Sequence, residues 1–297
     1  MKISLCLPYM KESITRQTII DWCKLAEAGP FHSLSCGERI TGYTLEMRNV
    51  LAFAAALTER VRIVPSLYVL PMHSAVWAAK EIATLDLLSN GRVTVTVGVG
   101  GREVDYQAVG ATFTKRHERQ DEQVQLMRRI WAGEAPFMGA DPVGPQCIQK
   151  DGPPILAGVM GPKAMARAAH WADGVYSFSM SGSALETAGM FNAAAVAWQH
   201  AGRSQPPQRV GGFWYSLADE AETKLKTYVY NYLKGLGDGF ARSVANSMTN
   251  HHPGAIRNTL HDMAAAGCEE VFLVSATDEL SEIERLLNII NTQATPT

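Results

Sequence analysis

Eight apolar, strand-like runs, each followed by a segment of helical periodicity, occupy the 297 residues of this chain and predict a closed (β/α)8 (TIM) barrel. Two further observations favour closure over an open, doubly wound sheet. The first run leads into Leu7-Pro8-Tyr9 with no glycine, whereas an open dinucleotide-binding sheet usually turns there through a Gly-rich fingerprint. No Pro- or Ser-rich linker divides the chain, so residues 1–297 read as one domain.

The expected strands are residues 3–7, 33–36, 61–64, 93–99, 155–158, 174–177, 210–216 and 271–274. They are short apolar runs bounded by turn residues, as buried parallel strands are. The expected helices are 15–28, 45–57, 75–88, 117–132, 163–171, 184–201, 220–233 and 279–290. Two regions exceed what a minimal barrel needs. One is 100–116; the other is 235–266, which contains a further helix at 255–266. Both follow strands and read as insertions over the mouth.

Composition narrows the function. Apolar residues make up 46% of the chain and charged residues 19%, with a net charge of −2, so no basic surface suited to nucleic acid is expected. The longest apolar runs, such as 51–57, are far short of a membrane span. The N-terminal MKISLCLPYM lacks the apolar core of a signal peptide and reads as the first strand. Five scattered cysteines without C-x-x-C spacing point to a reduced, cytoplasmic protein with no structural zinc site. His251-His252 has no third ligand at usable spacing, and His117-Glu118 lacks a second histidine, so no metal centre is expected.

The chemistry concentrates at the strand ends. In PILAGVMGPKAMARAAHWADG (residues 154–174) a buried strand breaks at Gly158, passes Met160-Gly161-Pro162 and enters a helix at Lys163. Pro162 suits a helix start. The corner aims free amides and a helix dipole at one point, which fits a phosphate, with Lys163 either meeting it or projecting into solvent. Strand two is followed by Glu38, Arg39 and Tyr43, strand three by Ser66, Leu67 and His73, and strand four by Gly98, Gly100 and Glu103. Glu103 reads as a proton donor or as a solvated acid paired with Arg102. Glu38 and Arg39 read as substrate contacts or as an ion pair shaping the rim. His73 reads as a cofactor-edge contact or as a helix-start residue outside the cavity.

LLSNGRVTVTVGVGGRE (Leu87 to Glu103) and the 154–174 corner together resemble the luciferase-like flavin- and F420-dependent oxidoreductase superfamily. The likeness continues through LAEAGPFHSLSCGER, LTERVRIVPSLYVLP and AAAGCEEVFLV in the family's order. It implies a homodimeric barrel carrying coenzyme F420 or FMN at the C-terminal ends of the strands. It also implies a non-prolyl cis peptide at Ser66–Leu67 beneath the ring and the phosphate on Met160, Gly161, Pro162 and Lys163. Gly98, Gly100 and Gly158 would let the cofactor approach the backbone, with His73 beside it. Similarity to the F420-dependent sugar-phosphate dehydrogenase type suggests that Glu38, Arg39, Tyr43 and Glu103 are the catalytic positions. Arg39 stands where that type has a histidine, and a permanent guanidinium cation is no general base.

The resulting expectation is hydride transfer between F420 and a small organic substrate. The alternatives are an FMN-dependent monooxygenase supplied with reduced flavin by a flavin reductase, a non-catalytic F420- or flavin-binding protein, and a barrel using the same corner for a sugar phosphate.

Overall fold

A computed structural model describes residues 1–293 and shows eight parallel strands closed into a barrel in sequence order. The first half runs β1 (Lys2–Cys6), α1 (Arg16–Ala28), β2 (Ser33–Cys36), α2 (Met47–Leu57), β3 (Arg62–Val69), α3 (Ala75–Leu88), β4 (Val95–Gly98), α4 (Glu103–Ala108) and α5 (Arg116–Trp131). The second half runs β5 (Ile155–Gly158), α6 (Pro162–Ala168), β6 (Gly174–Phe178), α7 (Ala184–His200), β7 (Gln208–Tyr215), α8 (Ala221–Leu233), α9 (Asp238–Asn246), α10 (Pro253–Ala265), β8 (Glu270–Ser275) and α11 (Leu280–Gln293). The circle closes where β1 pairs with β8 from Lys2 opposite Glu270 to Cys6 opposite Val274.

Helices α1–α3, α5–α7, α10 and α11 bury apolar residues against the outside of the barrel, while α8 and α9 pack together over Trp214 and α4 packs through Tyr106 on Val69 and Met72; the barrel interior holds Val64, Leu156, Tyr176, Val210 and Phe272. These bulky side chains fill the barrel, so chemistry is confined to its ends. The N-terminal end is closed by polar contacts. Glu270 accepts from the hydroxyls of Ser4 and Ser33 at 2.6 Å each, and Arg62 donates to Thr94.

Two pieces of the family resemblance lie at this N-terminal end and are architectural. In LSNGR, Asn90 and Gly91 take positive φ, and Arg92 then donates to the carbonyls of Ala55, Thr58 and Val61. Those carbonyls lie at and just beyond the C-terminus of α2, where intrahelical donors run out. Asp173 of the ADG turn binds the Ile155 amide at 2.8 Å and Arg128 at 2.9 Å. It ties β5 to the start of β6.

The expected elements are present with shifted ends, and three differences matter. Residues 100–116 contain α4, too short for periodicity to reveal, and residues 235–266 contain α9 in addition to the expected helix. Strand three extends to Val69 because Pro65 pairs without needing its missing N–H and the ladder resumes past a bulge between Ser66 and Tyr68. That extension carries Ser66 and Leu67 into the mouth. His251 and His252 lie before α10, where His252 Nδ1 accepts from the Ala255 amide at 3.1 Å and caps the helix.

Candidate active site

The Ser66–Leu67 peptide at the mouth is cis, as the resemblance implies. The Leu67 side chain spans the opening between β4 and β5. A Cβ on Gly98 would stand 2.8 Å from Leu67 Cδ1, and one on Gly158 would meet Leu67 Cδ2 still more closely. Both positions therefore require glycine for close approach, but the group admitted is Leu67, where the sequence suggested the cofactor. Gly100 has a φ of +60° and packs on Val69.

An aromatic wall rises opposite. Tyr228 and Tyr232 project from successive turns of α8 and stack with ring centres 6.2 Å apart. Tyr232 meets Trp214 at 5.4 Å, and Trp214 meets Phe178 at 4.6 Å. The Tyr9 hydroxyl lies against Gly37. Burial pushes the phenols of Tyr9, Tyr228 and Tyr232 above their usual range, so they are neutral donors at physiological pH. The sequence reading passed over this wall. Its signal was available in the i, i+4 spacing of Tyr228 and Tyr232 and in Tyr9 directly after strand one.

The polar rim is paired differently from what adjacency suggests. Glu38 does not pair with Arg39. One carboxylate oxygen accepts the Val69 amide at 2.7 Å and the other meets His73 Nε2 at 2.8 Å. His73 directly follows a 3-10 turn (Leu70–Met72), sets its ring edge-on to Tyr68 and is largely buried. Glu38 therefore joins β2 to the segment after β3 as part of an acid–histidine pair.

Arg102 likewise does not pair with Glu103. It binds Asp105 at 3.1 Å and the Thr41 hydroxyl at 2.8 Å. Burial opposes ionisation of Asp105, but the Thr41 hydroxyl and amide and the Arg102 charge hold its carboxyl below the usual range. Glu103 sits exposed in the first turn of α4, and Tyr43 is 52% exposed, so neither is enclosed with the aromatic wall. Arg39 faces inward, its guanidinium carbon 5.6 Å from the Tyr232 ring centre.

At the β5 corner, Gly161 is the N-cap of α6, Pro162 opens the helix, and Met160 and Lys163 are exposed. A Cβ on Gly161 would have no heavy atom within 4 Å, so the first turn of α6 opens onto free space. First-turn amides have no intrahelical acceptor and can meet a phosphate. Beside the corner lies a small cavity of about 20 Å³ whose lining includes Val99, His117, Gly158 and Arg167. The residues thus fit a flavin-type cofactor on three counts: open amides at one side, an apolar Leu67 floor, and a buried Thr96 hydroxyl on the inward face of β4 with no partner among the described residues.

Comparison with known proteins agrees with this fold. A coenzyme F420-dependent oxidoreductase of Mycobacterium tuberculosis, so named provisionally, is 26% identical over 262 residues, 78% of this chain and 71% of that protein. The FMNH2-dependent dimethylsulfone monooxygenase of Pseudomonas fluorescens is 32% identical over 117 residues, 37% of this chain and 32% of its own length. Among solved structures, monooxygenase RslO1 from Streptomyces bottropensis superposes with a TM-score of 0.80 at 20% identity, covering 99% of this chain and all of that one. An F420-dependent secondary alcohol dehydrogenase, solved with an F420–acetone adduct, gives 0.81 at 17% identity over 98% of each chain. At these identities the solved structures speak for the fold alone. The profile of the luciferase-like monooxygenase family matches residues 1–292, and this chain belongs to that family.

Proposed function

We propose that the protein is a cytoplasmic oxidoreductase that exchanges hydride between F420 and a small organic carbonyl or enone substrate. The observation that carries this reading is the placement of the open α6 corner and the Leu67 floor on one rim, facing the aromatic wall. When bound, F420 supplies two-electron hydride chemistry. The chain's own residues hold and shield it. Met160, Gly161 and Lys163 receive the phosphate, with Pro162 setting the helix start. Ser66 and Leu67 would support the ring, with Gly98 and Gly158 making room for Leu67 and Gly100 packing on Val69 behind it, and Phe178, Trp214 and Tyr232 would exclude water.

The proton is assigned to His73. With Nε2 tied to the Glu38 carboxylate, Nδ1, which has no hydrogen-bond partner among the described residues, is the atom left to give the proton that the reduced substrate oxygen takes up, and to take it back in the reverse direction. Glu103 and Tyr43, exposed at the rim, border the substrate entrance.

The likeness to the FMNH2-dependent relative supports a second reading, in which the same site takes FMN and a flavin reductase supplies it reduced. Purification from a host lacking F420, followed by addition of each cofactor, separates the readings by the visible absorbance of the retained chromophore. Retention of F420 alone is expected. Retention of FMN alone moves the assignment to the monooxygenase reading, and retention of neither overturns both.

The family resemblance also carries a homodimer, which we place at the cleft between α2 and α3. That cleft measures about 280 Å³ and includes Trp77 and Leu88 in its lining, 63% and 65% exposed.

A further inference from the structure

Most cations around the mouth are already engaged. Arg102 is paired with Asp105, and Arg167 with Asp121. Arg116 lies over Phe113 and donates to that residue's carbonyl. Arg39 differs. Among the described residues no carboxylate lies within 4 Å of its guanidinium; its Nε is buried without an acceptor, as are those of Arg116 and Arg167, but Arg39 alone of the three has neither an acidic nor a carbonyl partner for the rest of its fork. The neighbouring Glu38, which adjacency would make its partner, is committed to Val69 and His73. The Tyr232 ring beneath it supplies only a cation–π contact.

A buried donor left unmet is costly, and a guanidinium in an aromatic setting keeps most of the cost of its lost hydration. The ligand that removes this cost presents two coplanar oxygens to the guanidinium fork. A carboxylate does so, and an amide of the same shape does not carry the charge. We propose that Arg39 is the substrate anchor and that the substrate of this enzyme is an organic acid whose carboxylate lies against the Tyr232 face. This rests on the hydride-transfer reading for the reaction, but the anion preference itself can be measured without cofactor.

Benzoate and benzamide are suitable probes, being alike in shape and different in charge. Their affinities are read by quenching of intrinsic tryptophan fluorescence in the cofactor-free protein, with Trp214 next to Tyr232 as the reporter. The wild type is expected to bind benzoate about tenfold or more tightly than benzamide, about the value of one charge-assisted pair. Arg39→Gln is expected to abolish that preference while its F420 affinity stays at the wild-type value and its thermal midpoint does not fall. Arg39→Lys, which keeps the charge and loses the fork, is expected to retain part of the preference. Equal affinities in the wild type overturn the proposal even if a variant fails to fold. A preference that survives Arg39→Gln overturns it too, as does a loss of F420 affinity in that variant, which would give Arg39 to the cofactor. If the wild type retains neither F420 nor FMN yet prefers benzoate, the cofactor reading fails and the anchor stands.

Discussion

Glu38 and His73 lie 35 positions apart in the chain and 2.8 Å apart in space. Both were visible as ionisable residues following strands, but their pairing was not, because adjacency favours Glu38 with Arg39. Backbone geometry decides otherwise: the 3-10 turn after β3 brings the Val69 amide and the His73 ring to the same carboxylate. If His73 carries the proton, His73→Gln should lower kcat about 100-fold with little change in KM. Full activity in His73→Gln together with a comparable loss in Glu103→Gln would transfer the role to Glu103.

The elements that shape the mouth differ in how well local pattern reveals them. The β5–α6 corner is local chemistry, a strand end followed by Gly161 and Pro162, and it forms where the pattern places it. The Leu67 floor depends on three strands, since the side chain from β3 fills the space left by glycines on β4 and β5. Gly158→Ala should therefore displace Leu67, costing about 1–3 kcal/mol of stability in urea denaturation. Cofactor affinity, measured by fluorescence titration, should fall with it.

On the opposite side, Glu282 of α11 accepts from the Ser216 hydroxyl at 2.7 Å, from the Thr277 hydroxyl at 2.9 Å and from the Leu217 amide. It thereby anchors the loops after β7 and β8. Burial nevertheless raises its carboxyl above the ordinary value of 4.5, so the folded protein binds this proton more readily than the unfolded chain. Stability from this group consequently rises as pH falls from neutral toward 4.5 and declines as pH rises. Glu282→Gln cannot titrate. The stability of wild type minus variant, followed from pH 7 down to 4.5, should increase, and a flat difference would contradict the assignment.

At the scale of the molecule, the cleft between α2 and α3 lies on the outer face of the barrel, away from the interior of the mouth. If two copies join there, Trp77→Asp should shift sedimentation to the monomer, since a central tryptophan at an interface contributes about 2 kcal/mol or more. An unchanged sedimentation coefficient would place the dimer contact elsewhere. No helix among the described residues is long and apolar enough to cross a membrane, as the short apolar runs predicted. What the sequence alone determined was the barrel, the strand-to-helix corner at Gly161 and Pro162, and the family. These follow from alternating period, turn residues and ordered motifs, all of which are local in the chain. Only the tertiary structure decided that Glu38 binds His73, that Leu67 occupies the glycine gap, that α8 supplies an aromatic wall and that Arg39 has no acidic partner among the described residues. Those depend on which side chains meet across separate strands and helices, a distance set by barrel closure and not by spacing along the chain.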